Sequence, residues 1–177
     1  MNGNRINRRA ALRTMLYIAA GTMVLPACFR ESGSKTIGLV NMTINEEQEL
    51  LLAEVVETLI PSSQTPGAKE LLLHLFVLKM VDDCHSPEDQ RNFTEGLEGF
   101  AAMEDPATGT KFINLSPADR LRFLKQIGDQ DNDKITMFYS MTKRRCIQGY
   151  MNSKNVMTDL KKYELIPGRY IADFKIG

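Results

Sequence analysis

Tryptophan is absent from this 177-residue sequence, histidine occurs only twice, and 22 acidic residues balance 22 basic ones. This charge balance argues against binding to nucleic acid, which requires a clustered basic face. Common catalytic and cofactor-binding motifs are also missing: Gly-x-Gly-x-x-Gly, the P-loop, Gly-x-Ser-x-Gly, Cys-x-x-Cys-His and His-Glu-x-x-His. We therefore expect a protein-binding role, with no nucleic-acid partner and no catalytic, cofactor or metal site in this chain.

Residues 1–27 have the order of parts found in an export signal. Four arginines and no acidic residue precede an apolar run from Met15 to Ala27, which is too short to remain as a membrane-spanning anchor. The sequence around Arg8 and Arg9 resembles a twin-arginine export signal. An uncleaved N-terminal helix is the alternative interpretation.

The end of this segment, Leu25-Pro26-Ala27-Cys28, resembles a lipobox, in which the cysteine receives a lipid. Cleavage before Cys28 would leave residues 28–42 as a linker between the lipid and a folded domain at 43–177. The mature chain would carry 18 basic and 22 acidic residues. We expect it to be exported and lipid-anchored, facing the periplasm, with the choice between inner and outer membrane left open.

The domain at 43–177 contains five helix-start signals and no strand pattern, which predicts an all-α bundle of five main helices with an irregular C-terminal tail. The second predicted helix, beginning at Pro66, is apolar on nearly all sides. We expect it at the centre of the bundle, with Leu72 and Phe76 in the core. The predicted N-caps of the five helices are Thr43, Thr65, Ser86, Ser116 and Asp131.

The link between the first two helices carries a family resemblance. Glu57-Thr58-Leu59-Ile60-Pro61, followed by Thr65-Pro66-Gly67-Ala68, resembles the gluconate 2-dehydrogenase subunit 3 family. Gly149-Tyr150-Met151-Asn152-Ser153 and Ile166-Pro167-Gly168-Arg169-Tyr170 are similar to that family as well, so the likeness covers roughly residues 44–172.

The resemblance implies a small, exported, helical accessory subunit. Its partner would be a large FAD-dependent (GMC-type) sugar or polyol dehydrogenase that carries all of the chemistry. The small subunit would support the folding of the large one, leave the cell with it by the twin-arginine route and hold it at the membrane, near a cytochrome c or another electron acceptor. We expect the partner interface where the resemblance is most specific: Pro61, Thr65, Pro66, Gly67, His74, Pro167, Gly168, Arg169 and Tyr170.

The alternative is a free-standing periplasmic lipoprotein, either a structural adaptor or an enzyme using Asp82-Asp83-Cys84-His85. Adjacent residues at a helix end point in different directions, so we expect these four to mark a helix terminus and not a metal site. Cys84 and Cys146 leave three alternatives open: a disulfide, two free thiols, or a bond to a partner subunit.

Overall fold

A computed structural model describes residues 37–127, 133–164, 166 and 168. The predicted all-α bundle of five main helices is confirmed, and the described ranges contain no strand, only an isolated bridge between Glu104 and Lys111. None of the described helices is long and apolar enough to span a bilayer. The elements are α1 (Glu46–Leu59), α2 (Leu73–Cys84), α3 (Pro87–Ala102), a 3-10 turn (Phe112–Asn114), α4 (Pro117–Ile127), α5 (Asp133–Met151) and a short π-helix (Asn155–Leu160).

Helix α5 lies at the centre of the bundle. It contacts all four other α-helices and packs most extensively against α3. The expectation that the second helix would be central is wrong, because α2 buries one face and leaves Leu75 and Phe76 partly exposed. The residues of α2 that it buries are Leu73, His74, Val77, Leu78, Val81 and Asp82.

Two glycines of α3 allow its backbone to approach α5 closely. A Cβ atom on Gly96 would lie 2.3 Å from the carbonyl oxygen of Lys134 and 2.7 Å from Cβ of Phe138. A Cβ atom on Gly99 would lie 3.2 Å from Cγ1 of Ile135. We call this contact the α3–α5 seam. At both positions the missing side chain is what allows the two helices to lie this close.

Phenylalanines fill the core beside the seam. Phe93, Leu97 and Phe100, which recur at helical spacing on α3, are all fully buried. On α4, Phe123, Leu124 and Ile127 are buried, whereas Leu121 of the same apolar set is 46% exposed. Neighbouring rings lie 5.1–5.9 Å apart between centroids, a separation at which tilted and edge-on aromatic contacts are favourable. The rings in contact are Phe93, Phe100, Phe112, Phe123 and Phe138.

Helix α1 begins two residues later than the predicted cap at Thr43. Oδ1 of Asn45 accepts a hydrogen bond from the backbone N–H of Gln48 at 2.8 Å, and the Gln48 side chain accepts one from the N–H of Asn45 at 3.0 Å. Asn45 is therefore the cap of a reciprocal capping box. The preceding chain stays non-helical while it buries Met42 and Ile44 against the core.

The N-caps of the later helices agree better with those predicted from the sequence. The backbone N–H of Asp89 donates to Oγ of Ser86, and that of Asp119 donates to Oγ of Ser116, as predicted. The predicted cap Asp131 lies outside the described residues. Thr65 does not cap a helix: α2 begins at Leu73, and the chain from 60 to 72 forms a compact link that is described next.

Candidate functional site

Residues 60–72, which we call the connection, join α1 to α2. Pro61 ends α1, because the residue before a proline is kept out of the helical region, and Ile60 has φ −134° and ψ 82°. Further along, Ala68 is fully buried. Its N–H donates to the carbonyl of Ile60, and its own carbonyl accepts from the N–H of Leu73, both at 2.9 Å. The connection is therefore fixed to the bundle at its middle as well as at its ends.

Glu57, in the last turn of α1, holds the connection by its backbone. Its Oε1 accepts from the N–H of Ser62 at 3.1 Å, and its Oε2 accepts from the N–H of Lys69 at 2.8 Å. One carboxylate thus binds two points of the chain that are seven residues apart. The predicted helix start at Pro66 is wrong: the N–H of Lys69 binds Glu57 instead of a carbonyl one turn earlier, and α2 begins only at Leu73.

Gly67 lies directly over this carboxylate. A Cβ atom at this position would come within 2.6 Å of the Ser62 nitrogen and 2.8 Å of Oε1 of Glu57. A distance below 3 Å to a backbone atom is too short for van der Waals contact, so any side chain here would displace the connection or its carboxylate. Gly67 is buried, and its role is to permit this close approach.

Glu54, one turn before Glu57, adds an ionic contact. Its carboxylate accepts from Nζ of Lys69 on the connection and from the Arg120 guanidinium on α4. Burial alone would raise the pKa of Glu54, but the hydrogen bonds and positive charges of Lys69 and Arg120 outweigh it and hold that pKa below its usual range. The connection is tied to α4 through this carboxylate.

The structure brings the connection together with the end of α5. The hydroxyl groups of Thr65 and Tyr150 lie 3.1 Å apart, at hydrogen-bonding distance. A Cβ atom on Gly149 would lie 2.8 Å from Cδ1 of Phe76, so the first turns of α2 sit closely against this point. Two segments that carry the family resemblance, 57–68 and 149–153, are therefore neighbours in space.

The predicted interface residues differ in their exposure. Pro61 is exposed, Thr65 and Pro66 are half-buried, and Gly67 is buried. Gly168 is exposed. Pro167, Arg169 and Tyr170 lie outside the described residues, as do Arg8, Arg9 and Cys28. The connection thus presents few of the predicted residues to a partner, and several of them serve to hold its shape.

His74 is a core residue, only 8% exposed. Its Nε2 lies 3.9 Å from Oε1 of Glu49, and its Nδ1 has no hydrogen-bond partner. Burial lowers the pKa of His74, the charge of Glu49 partly opposes this, and Lys69 adds to it. A neutral buried histidine is suited to packing, and a contact of His74 with a partner stays a prediction.

Asp82 belongs to the alternative candidate cluster, Asp82-Asp83-Cys84-His85. It has a structural role that the sequence did not suggest. Its carboxylate accepts hydrogen bonds from the backbone N–H groups of Val40, Asn41 and Met42 at 2.7–3.0 Å. Burial alone would raise the pKa of Asp82, yet these three bonds, with Lys79 nearby, lower it. The last residues of the predicted linker are therefore bound to the folded unit.

The other members of that cluster point to different neighbours. Asp83 pairs with Lys79 at 2.9 Å, and Nε2 of His85 lies 2.9 Å from the Arg145 guanidinium. Throughout the described ranges, no three His, Cys, Asp or Glu side chains lie together in a way that could hold a metal ion. The cluster is a helix terminus, as its sequence indicated.

Cys84 and Cys146 are both free thiols in the structure. This excludes the first of the three alternatives, a disulfide between them. Cys84 is exposed, whereas Cys146 is buried in α5. Burial, assisted by the negative charge of Glu57, raises the pKa of Cys146 to about 12. A thiol with such a pKa stays protonated and is unreactive at neutral pH.

An open groove of about 510 Å³ lies at the other end of α1. Its walls include Leu50 and Ile113, which are 56% and 39% exposed, and the charged residues Glu47, Glu98 and Lys111. Sequence periodicity did not indicate it, because its walls come from α1, α3 and the 3-10 turn.

Sequence reasoning also missed the two glutamates that fix the connection, and the exposed side chain of Leu72. Glu57 was part of the family motif, but nothing in its spacing indicated that it binds backbone N–H groups.

Comparison with known proteins gives one family. A family model described as gluconate 2-dehydrogenase subunit 3 matches residues 46–168. No curated protein and no solved structure gives a match to the chain.

Proposed function

The chain belongs to the gluconate 2-dehydrogenase subunit 3 family, and on that basis we propose that it is a non-catalytic accessory subunit of an exported dehydrogenase complex. The catalytic partner in this proposal is a large FAD-dependent (GMC-type) subunit that oxidises a sugar or a polyol. The flavin belongs to that partner. The present chain supports its folding, accompanies its export and holds it at the membrane, where a cytochrome c or another acceptor takes the electrons.

The extent of the family match supports this proposal most directly. Residues 46–168 include all five α-helices and the whole connection, so the likeness concerns the complete bundle and not one motif. A protein whose family is defined as the third subunit of a dehydrogenase is expected to act on its partner by contact. Contact needs a surface of fixed shape, and the carboxylates of Glu54 and Glu57 give the connection such a shape.

The alternative of an enzyme that uses Asp82, Asp83, Cys84 and His85 has less support. The Asp82 carboxylate is 1% exposed and already accepts three backbone hydrogen bonds. A carboxylate that is saturated in this way has little capacity left to take a proton or a metal ion. The division of labour between this chain and a flavin-bearing partner is therefore the better proposal.

Export and anchoring complete the proposal. Arg8 and Arg9 would direct the folded chain, with its partner bound, to the twin-arginine route, and Cys28 would carry the lipid. Residues 29–36 separate that cysteine from Ile37, the first described residue, and a fully extended stretch of this length spans roughly 30 Å. Such a tether would keep the complex close to the bilayer.

Co-purification tests the central proposal. The tagged full-length protein is isolated from detergent-treated membranes of its native host, and bound flavin is measured per chain. We expect a stoichiometric FAD-containing subunit and dye-linked sugar or polyol oxidation. Purification of the chain without any flavoprotein, from cells that oxidise these substrates at the membrane, would contradict the proposal.

Lipid attachment is tested separately by mass spectrometry of the mature N-terminus. We expect a lipid-modified Cys28 in the wild type and release from the membrane in Cys28→Ser. Cys84→Ser is the matched control, because Cys84 is an exposed cysteine in the folded domain and should leave anchoring unchanged. Mature protein that retains Met1 would contradict the anchoring proposal.

Exchange of Arg8 and Arg9 for lysine tests the export route, since it should block export.

A further inference from the structure

Leu72 combines a strained backbone with an exposed apolar side chain. Its φ of 53° and ψ of 35° place it in the left-handed region, which residues other than Gly, Asn and Asp rarely adopt. Its side chain is 54% exposed. Packing inside this domain therefore does not explain why a leucine occupies a position at which glycine would be less strained.

The bonds on either side of Leu72 impose this conformation. Its N–H donates to the carbonyl of Lys69 at 3.0 Å, and its carbonyl accepts from the N–H of Leu75 at 3.0 Å. Glu57 fixes Lys69 in turn. On the other side, Leu73 is buried in the core. Leu72 thus lies between two anchored points, and the left-handed turn directs its side chain outward as Leu73 enters the core.

The sequence that follows Leu72 is apolar and uncharged, whereas the exposed residues Lys69 and Glu70 precede it. Residues 71–78 contain no Asp, Glu, Lys or Arg. Leu71, Leu75 and Phe76 are each partly exposed, and the one polar member of the stretch, His74, is buried. An exposed leucine at the edge of such a stretch suits an apolar pocket on another protein, with the charged residues Lys69 and Glu70 at its rim.

We propose that Leu72 is a pre-organised anchor that inserts into an apolar pocket on the large FAD-dependent subunit. This inference rests on the proposed function, which supplies the partner. A side chain held in place before binding loses little conformational freedom on association, and backbone strain persists in proteins where the surrounding structure and function require it. The connection, with Glu57 and Gly67, would then exist to present this leucine.

Two substitutions of Leu72 separate an anchor from a structural residue, because they affect stability and binding differently. Leu72→Gly removes both the strain and the side chain, so the midpoint of thermal unfolding of the full-length chain should stay unchanged or rise by about 2–4 °C. Leu72→Ala keeps the strain and should leave that midpoint within about 2 °C. Both variants should weaken binding to the purified large subunit by about 10-fold or more, measured by titration calorimetry.

Leu121→Ala is the matched control, since Leu121 is a 46%-exposed leucine in the ordinary helix α4. It should bind the large subunit with the affinity of the wild type. Wild-type affinity in Leu72→Gly or Leu72→Ala would overturn the anchor while leaving the proposed function intact. Unfolding of either Leu72 variant would also overturn it, because a structural role would then account for the leucine. A wild-type chain that binds no flavoprotein would refute the proposed function itself.

Discussion

The α3–α5 seam and the α1–α2 connection each depend on a glycine, but the two glycines have different neighbours. Gly96 in the seam faces the Lys134 carbonyl and the Phe138 side chain. Gly67 in the connection faces the Ser62 nitrogen and the Glu57 carboxylate. In the seam a missing side chain lets two helices pack their apolar faces. In the connection it lets a charged group reach the backbone.

This difference indicates separate roles for the two regions. The seam buries phenylalanines, and burial of apolar surface is the main source of folding free energy. The connection gains its order from side-chain-to-backbone hydrogen bonds near the surface, which contribute less because water can replace them. We therefore expect changes in the seam to unfold the whole protein, and changes in the connection to alter mainly its local shape and its fitness for a partner.

The largest effect should come from Phe100→Ala. Phe100 is fully buried, and its ring lies within 5.1–5.8 Å of the Phe112, Phe123 and Phe138 ring centroids. Loss of such a ring should lower the free energy of unfolding by about 3–5 kcal/mol, measured by urea denaturation. Leu121→Ala serves as the exposed control on α4. A loss below 1 kcal/mol for Phe100→Ala would show that the seam is not the main source of stability.

A smaller loss is expected from Gly96→Ala. The new methyl group would meet backbone and Cβ atoms of α5, which cannot move independently of the helix, so the two helices must separate. We expect a cost of about 1–3 kcal/mol in the free energy of unfolding, although alanine favours the helix itself. Gly38→Ala is the control, because nothing lies within 4 Å of a Cβ atom there. Equal stability of both variants would show that the seam tolerates wider spacing.

The seam could be predicted from the sequence because it follows helical periodicity. Phe93, Leu97 and Phe100 recur at intervals of four and three residues, and the two glycines fall on a helix whose start signal, Ser86-Pro87, is unambiguous. This sequence pattern therefore predicts both the helix and the face that it buries. Leu121 shows the limit of such a prediction. Helical periodicity shows which apolar residues share a face, but not where a short helix extends beyond the core.

The connection could not be predicted in the same way. Thr65-Pro66 has the local chemistry of a helix start, but Glu57 binds the N–H of Lys69, and the helix begins at Leu73 instead. The sequence indicated neither this bond nor the hold of Asp82 on Val40–Met42, since a carboxylate can find distant backbone groups only in the folded chain. Leu72 was expected in the core because it was assigned to an apolar helix beginning at Pro66, whereas it lies before α2 and is 54% exposed.

Glu57→Ala tests the connection directly. The change leaves the N–H groups of Ser62 and Lys69 without their acceptor, so we expect a loss of about 1–2 kcal/mol and faster amide hydrogen exchange at these two residues. Glu57→Gln retains one carbonyl oxygen and should lose less. Backbone amides of the seam should exchange as in the wild type, except for the change that follows from the lower global stability of the variant. Protection of Ser62 and Lys69 as in the wild type would show that other bonds fix the connection.

The smallest effect should come from the charge of Glu54. Because the folded-state pKa of Glu54 lies below its ordinary value of 4.5, its ion pairs with Lys69 and Arg120 stabilise the fold above that pH. This contribution is lost as the pH falls through the lower, folded-state pKa, where the carboxylate takes up a proton. Glu54→Gln should therefore cost about 0.2–1 kcal/mol near neutral pH.

Acidification distinguishes this carboxylate from the others. Asp82 has a lowered pKa as well, so the wild type should lose stability in acid for more than one reason. The informative quantity is the difference in free energy of unfolding between the wild type and Glu54→Gln, which should shrink as the pH falls below 4.5. The difference between the wild type and Phe100→Ala should stay nearly constant over the same range, since no ionisable group is removed. If the difference in free energy of unfolding between the wild type and Glu54→Gln does not change with pH, Glu54 acts through packing and not through its charge. The polar character assigned to the connection would then be wrong at this residue.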